Sequence, residues 1–272
     1  MSDGDLTESE RVERRELRRG HIGPDEDPVE PWPAATLVLA RGGDDGLELL
    51  FLRRPETARF GAGAWVFPGG VVDPGDREAD LVGRLGEEAP SSETAFLAAA
   101  LRECFEETGL LPADRVPEWE ERRRVREELL AGRIDLPGII RRWDLTFGGL
   151  RAAYFARWIT PARLSRRYDA RFFLAEHRGG EPHLVHGERT DRAWVGPARA
   201  LERFRAGDLP MLFPTRKTVE SLDGLASLEE ALEAYRRRKV EPVRPRLLVE
   251  GDRVVPVLPG DPAYDRAGPE GA

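Results

Sequence analysis

Short apolar runs and turn-forming residues alternate along the first third of the chain. Ala35–Ala40 and Leu47–Leu52 are β-prone runs joined by a segment rich in Gly and Asp, and this spacing predicts a hairpin. A third strand is predicted at Trp65–Phe67, where Pro68-Gly69-Gly70 ends it. Residues 73–92 are acidic and rich in Gly and Pro, and we expect a loop there.

Helical periodicity replaces this pattern near residue 91. A helix is predicted from Ser91 or Ser92, either of which can cap it, to Thr108, with Gly109 as its terminator. Because strands and helices interleave and hairpins are present, the sequence predicts an α/β fold with helices on both faces of a mixed sheet. The other predicted helices lie at 118–131 and 137–145 and after Pro197, Pro214 and Ser227, and the other strands at 152–159, 171–175, 193–195, 246–250 and 253–258.

Charge and apolar content divide the chain into three regions. Residues 1–30 carry many charges and few large apolar side chains, so we expect a disordered tail. Residues 31–240 are expected to form one globular domain. Residues 241–272 are expected to be a C-terminal extension with a short hairpin and a disordered end.

Composition argues against several classes of protein. A single Cys cannot form an internal disulfide framework, and we expect a reducing, cytoplasmic environment. No apolar run approaches the ~20 residues of a membrane helix, so no membrane partner is expected. The formal net charge of -8 argues against binding to nucleic acid. Local arginines or a metal ion must then hold any anionic ligand, and the sequence does not indicate an oligomeric state.

Three carboxylates lie within one turn of the helix that ends at Thr108. Glu103, Glu106 and Glu107 fall nearly opposite the apolar stripe of that helix. Like charges at this spacing repel, and carboxylates in the last turn oppose the helix dipole at roughly 0.3–1 kcal/mol each. A divalent cation reverses both penalties, and oxygen ligands favour hard ions such as Mg²⁺ or Mn²⁺. The stripe consists of Leu97, Leu101, Cys104, Phe105 and Thr108.

The segment 102–110, together with Gly70 and Asp76, resembles the Nudix box, G-x5-E-x7-R-E-U-x-E-E-x-G-U, in which U is apolar. Twenty-five residues, 77–101, separate Asp76 from Arg102 where the pattern has seven. We therefore expect an insertion over 77–93, of which residues 77–90 form an exposed loop that can be shortened with the fold preserved. A second, helical insertion is expected over 112–149. The sequence leaves open whether Asp76 still contacts Arg102.

The resemblance implies a Nudix α/β/α sandwich and hydrolysis of a nucleoside diphosphate linked to another moiety. By position in the box, Glu103, Glu106, Glu107 and the carbonyl of Gly69 are implied to hold a divalent metal ion. The same match implies that Arg102 orients the carboxylates and that a metal-activated water attacks phosphorus.

A pattern just upstream resembles the coenzyme A diphosphatase signature, L-L-T-x-R-[SA]-x3-R-x3-G-x3-F-P-G-G. Arg54, Arg59, Gly63 and the final Phe-Pro-Gly-Gly match it, whereas Phe51, Leu52 and Pro55 depart from it. The run 157–161 is also similar to the nudix motif 19-like group, which includes a coenzyme A diphosphatase. The resemblance implies that Arg54, Arg59 and Gly70 bind a small nucleotide diphosphate, either coenzyme A or acyl-coenzyme A. The alternatives are a hydrolase of ADP-ribose or nucleotide sugars, and a non-catalytic regulator that only binds a nucleotide.

Several polar and aromatic residues outside the box are further candidates. The general base is undecided among Glu106, Glu107, Glu176 and Glu188. Surface or turn roles are expected for the histidines, and core positions for the tryptophans of the predicted insertion. These are His177, His183 and His186, and Trp119 and Trp143.

Overall fold

A mixed sheet with helices on both faces forms the fold, as the sequence predicts. The computed structural model describes residues 7–20, 28–44, 46–78, 81, 84–85, 90–184, 189–251 and 253–267. The strands are β1 (Trp32–Gly43), β2 (Gly46–Arg53), β3 (Trp65–Val66), β4 (Gly69–Val71), β5 (Ala152–Ile159), β6 (Tyr168–Glu176), β7 (Asp191–Val195), β8 (Pro242–Val243), β9 (Arg246–Glu250) and β10 (Arg253–Val257). The helices are α1 (Glu8–Gly20), α2 (Thr94–Thr108), α3 (Trp119–Leu130), α4 (Leu136–Trp143), α5 (Pro197–Ala206), α6 (Phe213–Leu222) and α7 (Leu228–Arg236), with a 3₁₀ turn at Pro74–Arg77.

Strand β1 is the centre of the sheet. It runs parallel to β6 along one edge. Along its other edge it pairs antiparallel with β4 at Ala34–Thr36 and then with β2 from Ala40 to Gly43. The sheet order is β3-β2-β1-β6-β5-β8, and β7 adds to β2. The turn between β1 and β2 is the predicted hairpin, and this pairing brings the Gly69–Gly70 segment against the middle of the central strand.

Alternating side chains of β1 supply two separate cores. Leu37 and Leu39 face α2, α3 and α4. Val38 and Ala40 face α5, α6 and α7 on the opposite side of the sheet. This alternation follows from the two-residue repeat of a strand that is buried on both faces. The two cores place α2 on one side of the sheet and the three later helices on the other.

The start of α2 differs from the prediction, whereas its end agrees. Glu93, and not a serine, is the N-cap residue, and its side chain makes no capping hydrogen bond. Ser91 and Ser92 lie in the preceding turn and are exposed. At the other end Gly109 adopts φ 71°, the left-handed conformation that glycine tolerates best.

The expectation that residues 77–90 form an exposed loop is wrong at Leu81 and Leu85. Leu81 and Leu85 are each only 1% exposed and belong to the core on the α2 side of the sheet. Two leucines four residues apart can bury themselves together on one side of a helical turn, and this explains why the segment packs. The neighbouring residues 79–80, 82–83 and 86–89 lie outside the described residues.

The expectation of a disordered N-terminal tail is wrong for residues 8–20, which form α1. Val12 is 1% exposed, and the Arg15 guanidinium donates to the carbonyl of Ala62 at 2.6 Å. Glu13 also pairs with Arg216 at 3.4 Å. One apolar anchor, one hydrogen bond to a distant carbonyl and one long-range ion pair therefore hold a helix that shows no continuous apolar face in the sequence. The parts of the predicted tail at 1–6 and 21–27 lie outside the described residues.

The C-terminal region is not separate from the domain. β8 pairs in parallel with β5 and so extends the main sheet beyond residue 240. β9 and β10 form the predicted hairpin, with Arg253 opposite Glu250. The hairpin packs against α1. The predicted disordered end falls mainly on residues 268–272, which lie outside the described residues. Among the helices that the described residues form, none combines the length and the apolar character that crossing a membrane requires.

Candidate active site

The last turns of α2 carry the three carboxylates. The predicted apolar stripe of this helix, including Leu101, Cys104 and Phe105, is fully buried. Burial raises the pKa of the Cys104 thiol to about 12, so this cysteine is core filling and not a nucleophile. The opposite side of the helix points Glu103 and Glu106 toward the segment 69–76.

Arg102 connects α2 to the turn that precedes the insertion. Its Nε donates to Asp76 Oδ1 at 3.1 Å, and its Nη2 donates to Asp76 Oδ2 at 3.1 Å and to the carbonyl of Val71 at 2.7 Å. Its Nη1 donates to Glu103 Oε1 at 2.8 Å and to Glu106 Oε1 at 3.1 Å. Asp76 therefore still contacts Arg102 across the long spacer. The same guanidinium holds Glu103 and Glu106 side by side.

Gly69 and Gly70 leave no room for a side chain in the present arrangement. A Cβ on Gly69 would lie 2.6 Å from the backbone carbonyl of Ala35, so this position requires glycine. A Cβ on Gly70 would lie 2.4 Å from Glu103 Oε1, so any side chain there would displace the Glu103 carboxylate. The absence of side chains lets the Glu103 carboxylate lie directly against the backbone of β4.

Burial and mutual repulsion perturb the neighbouring carboxylates. Burial, opposed by Arg102 and reinforced by the Glu106 charge, raises the pKa of Glu103 to about 7. Burial also raises the pKa of Glu106, again against the effect of Arg102. Two acidic groups whose charged forms are disfavoured lie beside one guanidinium, and a cation placed between them would relieve this repulsion. Their oxygen donors suit a hard divalent ion.

Glu107 is directed elsewhere. Its carboxylate accepts a hydrogen bond from Nη2 of Arg189, and the two side chains are only 6% and 7% exposed. In the part of the chain that the structure describes, no three acidic, His or Cys side chains gather closely enough to hold one ion. The three carboxylates lie on one helix, as expected, but their side chains do not converge. Glu103 and Glu106 lie together beside Arg102, whereas Glu107 pairs with Arg189.

A cavity of about 660 Å³ opens beside Gly69 and Gly70 of β4. Gly69, Gly70, Arg54 and Arg59 line it, together with Arg189. Two of the residues that line the cavity adjoin the carboxylates of α2: Gly70 lies against Glu103, and Arg189 donates to Glu107. The structure therefore brings the predicted substrate-binding residues together at one boundary of the carboxylate cluster.

The two predicted substrate-binding arginines differ in burial. Arg54 is half-buried, and its Nε donates to the carbonyl of Phe60 at 2.9 Å. Burial lowers the pKa of Arg54, and the nearby Arg189 charge lowers it further. Arg59 is exposed at the cavity rim. Within the described part of the chain neither forms an ion pair with a carboxylate, so an anion in the cavity would meet two cations that are not neutralised by ion pairs.

Other candidates from the sequence lie away from this site. Glu176 pairs with Arg151 and lies opposite Ala40 of β1. Ala40 is five residues, or about 16 Å, along β1 from Ala35, where β1 pairs with β4. This distance removes Glu176 as a general base for the cluster. Glu188 and His186 lie outside the described residues.

The remaining aromatic candidates pack against one another. His183 stacks on Trp119 with ring centroids 3.7 Å apart. Trp119 is half-buried, so the expectation of a core position is wrong for this residue. Trp143 packs edge-on against Phe105 at 5.9 Å and adjoins the core, as expected. His177 contacts Trp194 at 4.9 Å. These contacts are structural, and none of the three residue pairs lines the cavity.

Sequence reasoning missed Arg189 and the helix α1. Arg189 is one of 42 Lys and Arg residues and follows a loop without a recognisable motif. Glu13, Glu16 and Leu17 of α1 form part of the cavity wall. No local pattern marks either, because each acquires its position through contacts with distant segments.

Comparison with known proteins identifies the family of the chain. The NUDIX domain family model matches residues 31–213. The chain is 27% identical to acyl-coenzyme A diphosphatase NUDT19 of Gallus gallus, over 86% of this chain and 80% of that protein. It is 28% identical to the Homo sapiens protein of the same name, over 85% and 80%.

Solved structures lead to the same family. The crystal structure of a NUDIX hydrolase from Alicyclobacillus acidocaldarius is similar with a TM-score of 0.63 and 28% identity, over 78% of this chain and 99% of that one. Nudix hydrolases act on diphosphate bonds of small nucleotide derivatives and generally use divalent metals. The chain, with its box residues assembled around Arg102, therefore belongs to the NUDIX domain family and is a Nudix hydrolase.

Proposed function

We propose that this protein hydrolyses the diphosphate of coenzyme A or acyl-coenzyme A. The products would be 3′-phosphoadenosine 5′-phosphate and the 4′-phosphopantetheine half. The observation that carries the proposal is one cavity that joins Arg54 and Arg59 to Gly70, immediately beside the Glu103 carboxylate. The similarity to proteins named acyl-coenzyme A diphosphatase supports the same substrate class.

The lining of the cavity suits a ligand that carries both phosphates and uncharged groups. Arg54 and Arg59 offer guanidinium groups, which match phosphate oxygens in geometry and charge. Coenzyme A has a 3′-phosphate besides its diphosphate, and so presents two separated anionic groups. The rest of the wall is largely apolar and aromatic, including Phe60, Phe67, Trp158, Ile159 and Phe213.

The carboxylates of α2 fit a divalent ion, Mg²⁺ or Mn²⁺. We assign Glu103 and Glu106 as ligands because Arg102 holds them together and burial disfavours their charged forms, which a bound cation would stabilise. Gly69 and Glu107 are the further ligands that the box implies. When bound, the metal activates a water molecule and neutralises charge on the diphosphate.

The chain itself supplies orientation and exclusion of solvent. Arg102, fixed by Asp76, keeps the Glu103 and Glu106 oxygens at the surface of β4. Glycine at position 70 lets the substrate approach that surface without a side chain between. Among the described residues, Glu106 and Glu107 remain the candidates for accepting the proton of the attacking water, since Glu176 lies at the far end of its strand. Glu188, which lies outside the described residues, stays a candidate as well.

A turnover screen tests the proposal. The protein would be incubated with coenzyme A, acyl-coenzyme A, ADP-ribose and a nucleotide sugar, each with Mg²⁺, Mn²⁺ or EDTA. We expect cleavage of the first two that depends on the metal. Robust hydrolysis of ADP-ribose without cleavage of coenzyme A would reject the substrate, and binding without any turnover would favour the regulatory alternative.

A further inference from the structure

Arg189 lies at the junction between the carboxylate cluster and the cavity. It lies two residues before the start of β7. The backbone N–H of the next residue, Thr190, donates to the carbonyl of Arg53 at 2.9 Å and fixes this part of the chain to the end of β2. Its guanidinium lines the cavity and at the same time donates to Glu107 from a nearly solvent-free position. The Arg189 side chain therefore contacts a carboxylate of the box, and the same residue lines the cavity.

Arg189 shares the cavity with a second cation. Arg189 and Arg54 line the same cavity and lie close enough for the Arg189 charge to lower the pKa of Arg54. Glu107 contacts Arg189 directly, and the charges of Glu107 and Glu16 raise the pKa of Arg54. A metal ion that drew Glu107 away would leave the two guanidinium groups less balanced, which favours the arrival of another anionic group because unbalanced charge is costly away from water.

We propose that Arg189 is a positioning residue that exchanges partners during binding. Arg189 is a counter-ion of Glu107, and a divalent cation would compete with it for that carboxylate. Once displaced, the Arg189 guanidinium would be available to the diphosphate of the substrate. This inference rests on the proposed function, since it takes Glu107 as a ligand of the metal. It assigns a role to a residue outside the box and outside the upstream signature.

Two opposite effects of one substitution follow. Removing the guanidinium in Arg189→Met leaves the buried Glu107 carboxylate without this counter-ion, so Mn²⁺ should bind several-fold more tightly. The same variant loses a charge-assisted contact to the diphosphate, so kcat/KM should fall by about 10- to 100-fold, chiefly through KM. A merely structural role would weaken metal binding and turnover together.

The experiment measures Mn²⁺ affinity by electron paramagnetic resonance and turnover of coenzyme A in matched variants. Arg192→Met is the control, because Arg192 is exposed on β7 and does not line the cavity. Arg189→Lys keeps the charge and should restore most of the wild-type Mn²⁺ affinity. Unchanged or weaker Mn²⁺ binding in a folded Arg189→Met variant would overturn the proposal.

The double variant Glu107→Gln/Arg189→Met covers the case in which Arg189→Met alone does not fold. It removes both charges of the pair, which avoids a lone buried carboxylate. Compared with Glu107→Gln alone, it should show the same Mn²⁺ affinity but a higher KM. A further change in Mn²⁺ affinity, or an unchanged KM, would contradict the inference. If Glu107→Gln by itself altered neither Mn²⁺ affinity nor turnover, the assignment of Glu107 would fail independently of Arg189.

Discussion

Asp76 and Arg102 form a buried ion pair across 26 residues of sequence, with Asp76 only 1% exposed. The backbone N–H of Asp73 donates to Asp76 Oδ2 at 2.8 Å and fixes the carboxylate. Burial, with a smaller contribution from the Asp73 charge, raises the pKa of Asp76, and the Arg102 hydrogen bonds oppose this rise. The pair closes the insertion at its base, so the extra residues do not separate Asp76 from Arg102.

Breaking this pair from one side should destabilise the fold strongly. We expect Asp76→Ala to lower the free energy of unfolding by about 3–5 kcal/mol, because a buried guanidinium loses its main partner. Asp73→Ala is the control, since the Asp73 side chain is 61% exposed and lies 3.8 Å from Arg102. That change should cost at most about 1 kcal/mol. Urea unfolding measures both, and equal losses would show that the buried pair is not special.

Neutralising the box carboxylates should separate activity from stability. Glu106→Gln and Glu107→Gln should each reduce turnover by ~100-fold or more while the fold is kept. Without metal, Glu106→Gln should be slightly more stable because repulsion on Glu103 falls. Glu107→Gln should be less stable because Arg189 loses its counter-charge. Turnover and urea titration in EDTA measure these effects, with the exposed Glu120→Gln as control. Full activity in both box variants would refute the catalytic assignment.

Arg59 should distinguish coenzyme A from dephospho-coenzyme A. Arg59→Gln should lower kcat/KM for coenzyme A by about one to two decades, the worth of a charge-assisted contact of ~1.5–3 kcal/mol. The loss on dephospho-coenzyme A should be small, because that substrate lacks the 3′-phosphate. Arg53→Gln is the control, since Arg53 pairs with Glu56 and does not line the cavity. Equal losses on the two substrates would place Arg59 elsewhere than at the 3′-phosphate.

The insertion between Asp76 and α2 should prove necessary for stability. Leu85→Ala should cost about 2–5 kcal/mol of unfolding free energy, because a fully buried side chain leaves a cavity in the core. Leu130→Ala, at a position 42% exposed, should change the same quantity by only ~0.5 kcal/mol. Deleting residues 77–90 should be worse than either point variant. A stable deletion variant would show that the segment packs without contributing.

Asp114 should give a pH-dependent contribution to stability. The Thr146 hydroxyl, then the amide of Gly149, the Arg178 guanidinium and the amide of Gly148 lower the pKa of Asp114 below 3.8. A lowered folded-state pKa stabilises the fold above 3.8, and this contribution is lost as pH falls through the folded-state value.

The test compares Asp114→Asn with the wild-type protein by urea unfolding. At pH 7 the variant should be about 1 kcal/mol less stable, a figure reduced by partial exposure of the site. The difference should narrow below pH 3.8. Asp265→Asn, at a fully exposed position, should show no such trend. A constant difference across pH would mean that ionisation of Asp114 does not cause the loss of stability.

Local patterns in the sequence determined the elements and the chemistry of the box. The 3.6-residue repeat of α2 set which side chains face the core, and Gly109 set where the helix ends. The hairpin of β1 and β2 also followed from neighbouring residues, whereas Gly69 and Gly70, predicted as a turn, form strand β4 because they pair with β1. These features depend on contacts a few residues apart, so periodicity and turn chemistry suffice to predict them.

The tertiary structure alone decided which side chains meet. Asp76 reaches Arg102 because β4 and α2 pack side by side, and Arg189 reaches Glu107 because its segment follows the end of β2. Burial of Leu85 and docking of α1 likewise depend on surfaces assembled from distant segments. Such contacts arise from sheet register and from the space that helices leave between them, and one sequence carries no local signal for either.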